Sequence, residues 1–201
     1  MTLVKICGMT NPADVEQAVE AGADMVGFVL VPWSPRAVTL EQAAGLRRRV
    51  PRGVEAVGVL ADETVGYATQ ALEVADLDRV QVYGPHAAET RELLGERAIV
   101  AHRLPDDAVS DADPVLVDRA FGDEPTDDDL AAHWAAVAAL GAEGRRVLLA
   151  GALTPDNVGP AIAAAQPWGV DVARGVEREP GVKDHDRVTA FVAAAREGRG
   201  G

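Results

Sequence analysis

A closed (β/α)8 barrel of the α/β class (a TIM barrel), forming a single domain, is the fold this sequence predicts, and three observations carry the prediction. Eight short apolar runs recur along the 201 residues, and each is followed by a segment with helical patterning. The runs are nearly unbroken in Val, Leu, Ile and Ala, without polar alternation, as parallel strands covered on both faces require. No linker, low-complexity segment or block of charge divides the chain. A doubly wound open sheet is the alternative. Against it, no G-x-G-x-x-G follows the first run, and eight units suit closure. The domain is expected to span 1–201, with 197–201 as a frayed tail.

The elements follow in order. "LVKI" (3–6) is the first strand, and "NPADVEQAVEAG" is a helix with Asn11 as N-cap and Pro12 at its first position. "MVGFVL" (25–30) leads to a helix over Leu40 to Arg49, and "VEAVGVL" (54–60) to one over Glu63 to Ala75. "RVQV" (79–82) precedes a helix from His86 to Leu94, and "AIVAH" (98–102) a short helical segment from Asp106 to Ser110. "PVLVD" (114–118) leads to a helix over Asp127 to Leu140, whose N-cap Thr126 and first-turn Asp127 and Asp128 complement the helix dipole. "RVLLA" (146–150) is followed by "TPDNVGPAIAAA", capped by Thr154 and started by Pro155. "GVDVA" (169–173) is the eighth strand, and "KDHDRVTAFVAAAR" closes the chain as a helix.

Composition narrows the function. The chain is 48% hydrophobic and 25% charged, enough apolar residue for a sizeable core. A single cysteine, Cys7, excludes an internal disulfide and a cysteine-rich zinc module. With no apolar stretch of membrane-spanning length and no basic-then-apolar leader, the protein is expected to be soluble and cytoplasmic, without a membrane partner. The net charge of −13 and the scattered Lys and Arg residues argue against nucleic acid. The expected partner is a small molecule. An acidic chain that handles an anion must gather a local positive site from backbone N–H groups or a few arginines. The sequence leaves the oligomeric state open.

In such barrels the reacting groups lie at the C-terminal ends of the strands. Those ends read Cys7, 32–36 with Arg36, Asp62, Tyr83, His102 with Arg103, Asp118, Gly151 and Arg174. A cysteine after strand one and a carboxylate after strand six lie on opposite sides of the mouth, placed to flank a small substrate as base and acid. The plainer reading is a core cysteine and a loop-capping aspartate. The loops after strands seven and eight, with Gly151 and Ala152 and with Ala173, Arg174 and Gly175, occupy the position where many barrels bind phosphate.

"VKICGMTNPADVEQAVEAGADMVGFVL", then "SPRAV", "VQVYG", "VLVD", "LLAGALTPDNV" and "DVARGVEREPGVKDHDRV", closely resembles the phosphoribosylanthranilate isomerase family of tryptophan biosynthesis over nearly the whole chain. The resemblance implies an Amadori rearrangement of an N-glycosidic aminoaldose to an aminodeoxyketose, with no metal and no organic cofactor. It implies that Cys7 is the general base removing the proton from C2 of the sugar, and that Asp118 is the general acid opening the furanose. Arg36 matches the family's arginine after strand two, and Asp171 an aspartate near the site. A turn's N–H groups or Arg36 are expected to shift the Cys7 thiol toward thiolate.

The substrate-holding segments differ from the family's. The strand-six loop reads "DRAFGDEPTDDDLAAHW" in place of a glycine-rich, lysine-containing stretch ending in Phe-Asp-Trp. Ala173-Arg174-Gly175 stands for Ser-Ser-Gly, and Ala150-Gly151-Ala152 for Ser-Gly-Gly. Arg174 can grip a phosphate, hold a carboxylate or pair with Glu177. Tyr83 replaces a histidine, and His102 stands where lysine or arginine is common. Retained reacting groups beside altered binding groups fit either this isomerisation or the same chemistry on a related N-glycoside. Further alternatives are a lyase or hydrolase with Cys7 as nucleophile, and a barrel that only binds. Trp33 suits an interface or a stack on an aromatic substrate ring.

Overall fold

The computed structural model describes residues 1–120 and 124–198. Eight parallel strands close into a barrel in chain order: β1 Leu3–Cys7, β2 Met25–Val29, β3 Glu55–Leu60, β4 Arg79–Val82, β5 Ala98–Leu104, β6 Val115–Arg119, β7 Val147–Leu149 and β8 Gly169–Val172. The seam is sealed by β1 against β8, with Leu3 opposite Gly169 through Ile6 opposite Val172. The open-sheet alternative is thereby removed. Helices α1 Pro12–Ala21, α2 Leu40–Arg47, α3 Val65–Val74, α4 Ala87–Leu94, α5 Asp127–Ala142, α6 Val158–Ala165 and α7 His185–Glu197 cover the outside. Among the described residues no helix is long and apolar enough to cross a membrane.

Strand alternation sorts the apolar runs into two cores. Val29, Val59, Ile99, Leu116 and Leu148 point inward and fill the barrel. Val4, Ile6, Phe28, Val80, Val117 and Val170 point outward beneath the helices and belong to the cluster that Val188 and Phe191 of α7 share. Most strands are therefore apolar on both faces, with Lys5, Gln81 and Asp171 as buried polar exceptions, which is why the sequence shows runs and not alternation.

The helix starts follow their caps. Asn11 accepts from Asp14 N (3.0 Å), and Thr39 and Thr126 form reciprocal capping boxes with Gln42 and Asp129. The acidic run at 127–129 is thus the first turn of α5.

Three expectations are corrected. No helix forms over Asp106–Ser110. Instead β5 runs on to Leu104, Pro105 follows, and the Asp107 side chain accepts from Arg103 N (2.6 Å), a side-chain bond that competes with helical pairing. The helix after β7 starts at Val158 and not at Pro155, because Thr154 and Asn157 close a turn between them: Thr154 N donates to Asn157 Oδ1 at 2.8 Å and Asn157 N to Thr154 Oγ1 at 3.3 Å. Before α7 the chain forms a hairpin, β9 Glu177–Glu179 with β10 Val182–Lys183, turning at Pro180-Gly181, so the final helix begins at His185 with Asp184 as N-cap. Of the expected frayed tail, Glu197 ends α7 and Gly198 caps it, and 199–201 lie outside the described residues.

Candidate active site

The alternation that fills the barrel also selects which strand-end residues face its mouth. Cys7, Tyr83, Arg103, Asp118, Ala150 and Ala173 continue the inward rows of β1, β4, β5, β6, β7 and β8, with Lys5, Gln81 and Asp171 one step deeper. Cys7 is only 6% exposed. Its neighbour across the β1–β2 ladder is Gly27, where a Cβ would stand 2.7 Å from Cys7 Sγ, so the glycine makes the thiol's space.

Buried ion pairs surround the thiol. Lys5 Nζ binds Asp171 Oδ1 (2.8 Å) across the β1–β8 seam, with Lys5 fully enclosed. Lys183, also fully enclosed, donates to Cys7 O (2.5 Å), Ala173 O (3.3 Å) and Glu177 Oε1 (2.9 Å). Glu177 in turn accepts Arg36 Nε (2.8 Å) and Nη2 (2.6 Å). The β2 loop, the end of β1 and the hairpin are thus bolted together beside Cys7. Arg36 lies over Gly8, whose positive φ (+82°) and missing Cβ admit the side chain.

Burial pushes the Cys7 thiol up, more than the nearby Lys5 and Lys183 pull it down, and Asp171 adds to the rise. The expected shift toward thiolate is therefore reversed. Burial likewise tends to raise Glu177, but its bonds to Arg36 and Lys183 prevail and hold it low.

The acid side is built otherwise. Asp118, at the end of β6, has its carboxyl pushed up by burial, with Asp171 adding to the rise. Its Oδ1 accepts from Arg119 N (2.8 Å) and its Oδ2 from the Tyr83 hydroxyl (3.2 Å). Gln81 Nε2 donates to the same hydroxyl (3.2 Å), and Arg103 stacks on the Tyr83 ring, its Cζ 4.1 Å from the centroid.

His102, expected at the mouth, faces the other way. Its Nε2 lies 2.9 Å from Ser110 Oγ and accepts from Ser110 N (3.2 Å), so the ring braces the β5–β6 loop. One residue of strand alternation accounts for this: Ile99 and Ala101 point inward, which sends His102 out and Arg103 in.

The β7 and β8 loops meet Asp118 and Asp171 in a cavity of about 490 Å3 that Arg36, Gly151, Ala152 and Arg174 also line. Gly151 (φ +94°) and Ala152 (φ +55°) both turn left-handed, and a Cβ on Gly175 would stand 1.9 Å from Leu153 O, so the two loops touch there. Arg174 makes no side-chain hydrogen bond or ion pair among the described residues. The carboxylate it was offered as a partner, Glu177, is taken by Arg36 and Lys183. Trp33 stands exposed on the β2 loop.

The structure thus gathers Cys7, Arg36, Tyr83, Asp118, Asp171 and the two loops at one mouth and excludes His102. It adds Lys5, Glu177 and Lys183, and it turns inward Arg103, which the sequence sets beside His102 at the end of strand five. Of these, Arg103 had a signal in the sequence, since the inward parity of β5 continues to it. Among the described residues no group of three or more His, Cys, Asp and Glu is placed to hold a metal ion.

Comparison with known proteins bears on the family and the fold. The family model described as N-(5'phosphoribosyl)anthranilate (PRA) isomerase matches residues 4–194. An N-(5'-phosphoribosyl)anthranilate isomerase of Pelobacter propionicus is 37% identical, with 99% of this chain and 98% of the relative covered. That of Geobacter sulfurreducens is 38% identical, covering 98% and 99%. The phosphoribosyl anthranilate isomerase structure from Thermus thermophilus superposes with a TM-score of 0.85 at 32% identity, covering 98% of this chain and all of that one (100%). A phosphoribosyl anthranilate isomerase in complex with reduced 1-(o-carboxyphenylamino)-1-deoxyribulose 5-phosphate superposes with a TM-score of 0.81 at 32% identity, covering 98% and 99%.

Proposed function

The chain belongs to the N-(5'-phosphoribosyl)anthranilate isomerase family, and from that premise we propose that it rearranges phosphoribosylanthranilate with Cys7 as general base and Asp118 as general acid. The chain is an aldose–ketose isomerase of tryptophan biosynthesis; the substrate and the residue roles are our reading. One observation carries that reading. Asp118 on β6 and Cys7 on β1 both face inward, and the two strands between them around the ring, β7 and β8, bear the loops that line the cavity. A phosphate seated there holds the sugar between acid and base.

In this arrangement Asp118 gives its proton to the ring oxygen. The C1–O bond breaks with its electron pair on that oxygen, and the anilino nitrogen's lone pair closes a C1=N bond. Cys7 takes the proton from C2 through its thiolate, the form that Lys5 and Lys183 favour against burial. The freed pair forms C1=C2 and returns the nitrogen its lone pair, and the enol at C2 becomes the ketone as C1 gains a proton. The raised Asp118 keeps a carboxyl proton to higher pH than an ordinary aspartate. Gly151, Ala152 and the Ala173–Gly175 segment, with the Arg174 guanidinium, supply the phosphate contacts, and Arg36 stands on the same cavity wall.

The test is turnover of phosphoribosylanthranilate generated in situ, followed by loss of its fluorescence. Cys7→Ala and Asp118→Asn are each expected to lower kcat by roughly 10²- to 10⁴-fold. Activity retained in both variants overturns the assignment. A covalent adduct on Cys7 in intact-protein mass spectrometry indicates a nucleophile and not a base. A folded wild-type protein without turnover points to a related N-glycoside, selected at Arg174.

A further inference from the structure

We propose that Tyr83, with its hydroxyl turned by Gln81, is a positioning residue that fixes the Asp118 carboxyl and sets the pH at which it gains its proton. The inference rests on Asp118 being the general acid and adds how the chain holds that acid ready.

The hydrogen-bond arithmetic is directional. An amide nitrogen only donates, so the 3.2 Å contact from Gln81 Nε2 uses the Tyr83 oxygen as acceptor. The hydroxyl proton is then directed to its other neighbour, Asp118 Oδ2, also at 3.2 Å. Asp118 Oδ1 is held at 2.8 Å by the N–H of Arg119. Both carboxyl oxygens are thus met by donors from fixed positions, Tyr83 directly after β4 and Arg119 in β6, which locks the orientation of the group at the mouth. Gln81 and Tyr83 are both buried, at 2% and 7% exposure, and the Tyr83 ring is pinned beneath Arg103, so the donor does not swing away.

Both donors favour the carboxylate over the carboxyl form. The other charged groups facing Asp118 are Arg103 on β5, which also favours the carboxylate, and Asp171 on β8, which opposes it together with burial. The phenol stays protonated throughout, since burial and the neighbouring Asp118 push its ionisation well above the ordinary tyrosine range. Removing the hydroxyl raises the pH at which Asp118 protonates. The plateau rate responds in two opposed ways, through more protonated acid and through a weaker acid. The informative readout is therefore the limb of the pH profile.

Tyr83→Phe deletes one oxygen and keeps the ring. Two measurements on it separate this inference from the one beneath it. The first is the Asp118 carboxyl 13C shift titrated in the ligand-free protein, assigned by its absence in Asp118→Asn. The second is the acid limb of kcat/KM. Loss of a hydrogen bond to a charged group corresponds to a rise of about one to two pH units in both. Gln81→Met, which removes only the donor that turns the hydroxyl, is expected to move both in the same direction by less. If neither moves in Tyr83→Phe, the positioning role is overturned and the acid assignment stands. If the carboxyl titration moves and the acid limb does not, Asp118 is not the acid, and the inference falls with it.

Discussion

Beside Cys7 the charges are already paired within the fold, whereas above the β7 and β8 loops an arginine projects without a partner among the described residues. Lys5 with Asp171, and Lys183 with Glu177 and Arg36, are enclosed pairs that tie β1 to β8 and the hairpin to the β2 loop. Arg174 is exposed and lines the cavity. The two regions lie a few ångströms apart along the chain's end, since the Lys183 ammonium reaches the Ala173 carbonyl at 3.3 Å. They nevertheless answer to different demands. A buried ion must find its partner during folding, because desolvating it alone costs several kcal/mol. A surface guanidinium is solvated at no penalty and keeps its donors for a ligand. The Cys7 side is completed by folding, and the Arg174 side keeps its donors open.

The sharpest way to break this comparison is Lys183→Met. It keeps the stem's length but removes three donors from a fully buried site, leaving Glu177 with Arg36 as its one charged partner among the described residues and the Cys7 carbonyl without its ammonium. Breaking a buried pair by removing one partner costs about 3–5 kcal/mol. For a domain of this size that corresponds to a fall in Tm of roughly 10 °C. Thermal unfolding that stays within ~2 °C of wild type shows that the network contributes little, and the contrast between the two regions disappears.

Arg174→Ala probes the other region with the opposite signature. Nothing in the described fold depends on this guanidinium, so unfolding is expected to shift by less than about 0.5 kcal/mol. Loss of charge-assisted bonds to a phosphate should raise KM by roughly 10- to 100-fold with a smaller change in kcat. A large loss of stability with KM unchanged assigns Arg174 to the fold, and the reading of these loops as an anion site then rests on backbone N–H groups alone.

The same contrast explains what was legible in the sequence. Strands were legible because burial on both faces writes an apolar run, and the starts of α1 and α5 because Asn11 and Thr126 cap them locally. Cys7, Asp118 and the two loops were legible as strand ends. The hairpin was not, since its two strands pair over two and three residues and take their order from Lys183 reaching Cys7, 176 positions away. Long-range ion pairs leave no periodic trace. His102 and Arg103 were confused because the strand's end was set two residues short. The parity of Ile99 and Ala101, carried to Leu104, identifies the inward residue as Arg103. Thr154 resembled a helix cap because it is a cap, but of a turn that its bonds to Asn157 close first.

Ala152→Gly has the smallest expected effect and is the finest probe of the comparison. Ala152 holds a left-handed φ of +55°, and Asn157 Nδ2 clamps its carbonyl at 3.0 Å, so the β7 loop keeps a conformation its own side chain disfavours. That conformation costs about 1–2 kcal/mol in an alanine. Glycine removes the strain and gives back roughly 0.4–1 kcal/mol through a freer unfolded chain. The net expectation is a gain of about 0.5–1 kcal/mol, read as a higher denaturant midpoint with an unchanged slope. If the loop conformation is held by Asn157 and by the Gly175 contact with Leu153, KM stays at its wild-type value in the glycine variant. If KM rises while stability improves, the alanine's own restricted backbone presets the anion loop, and this region too is partly completed before substrate arrives.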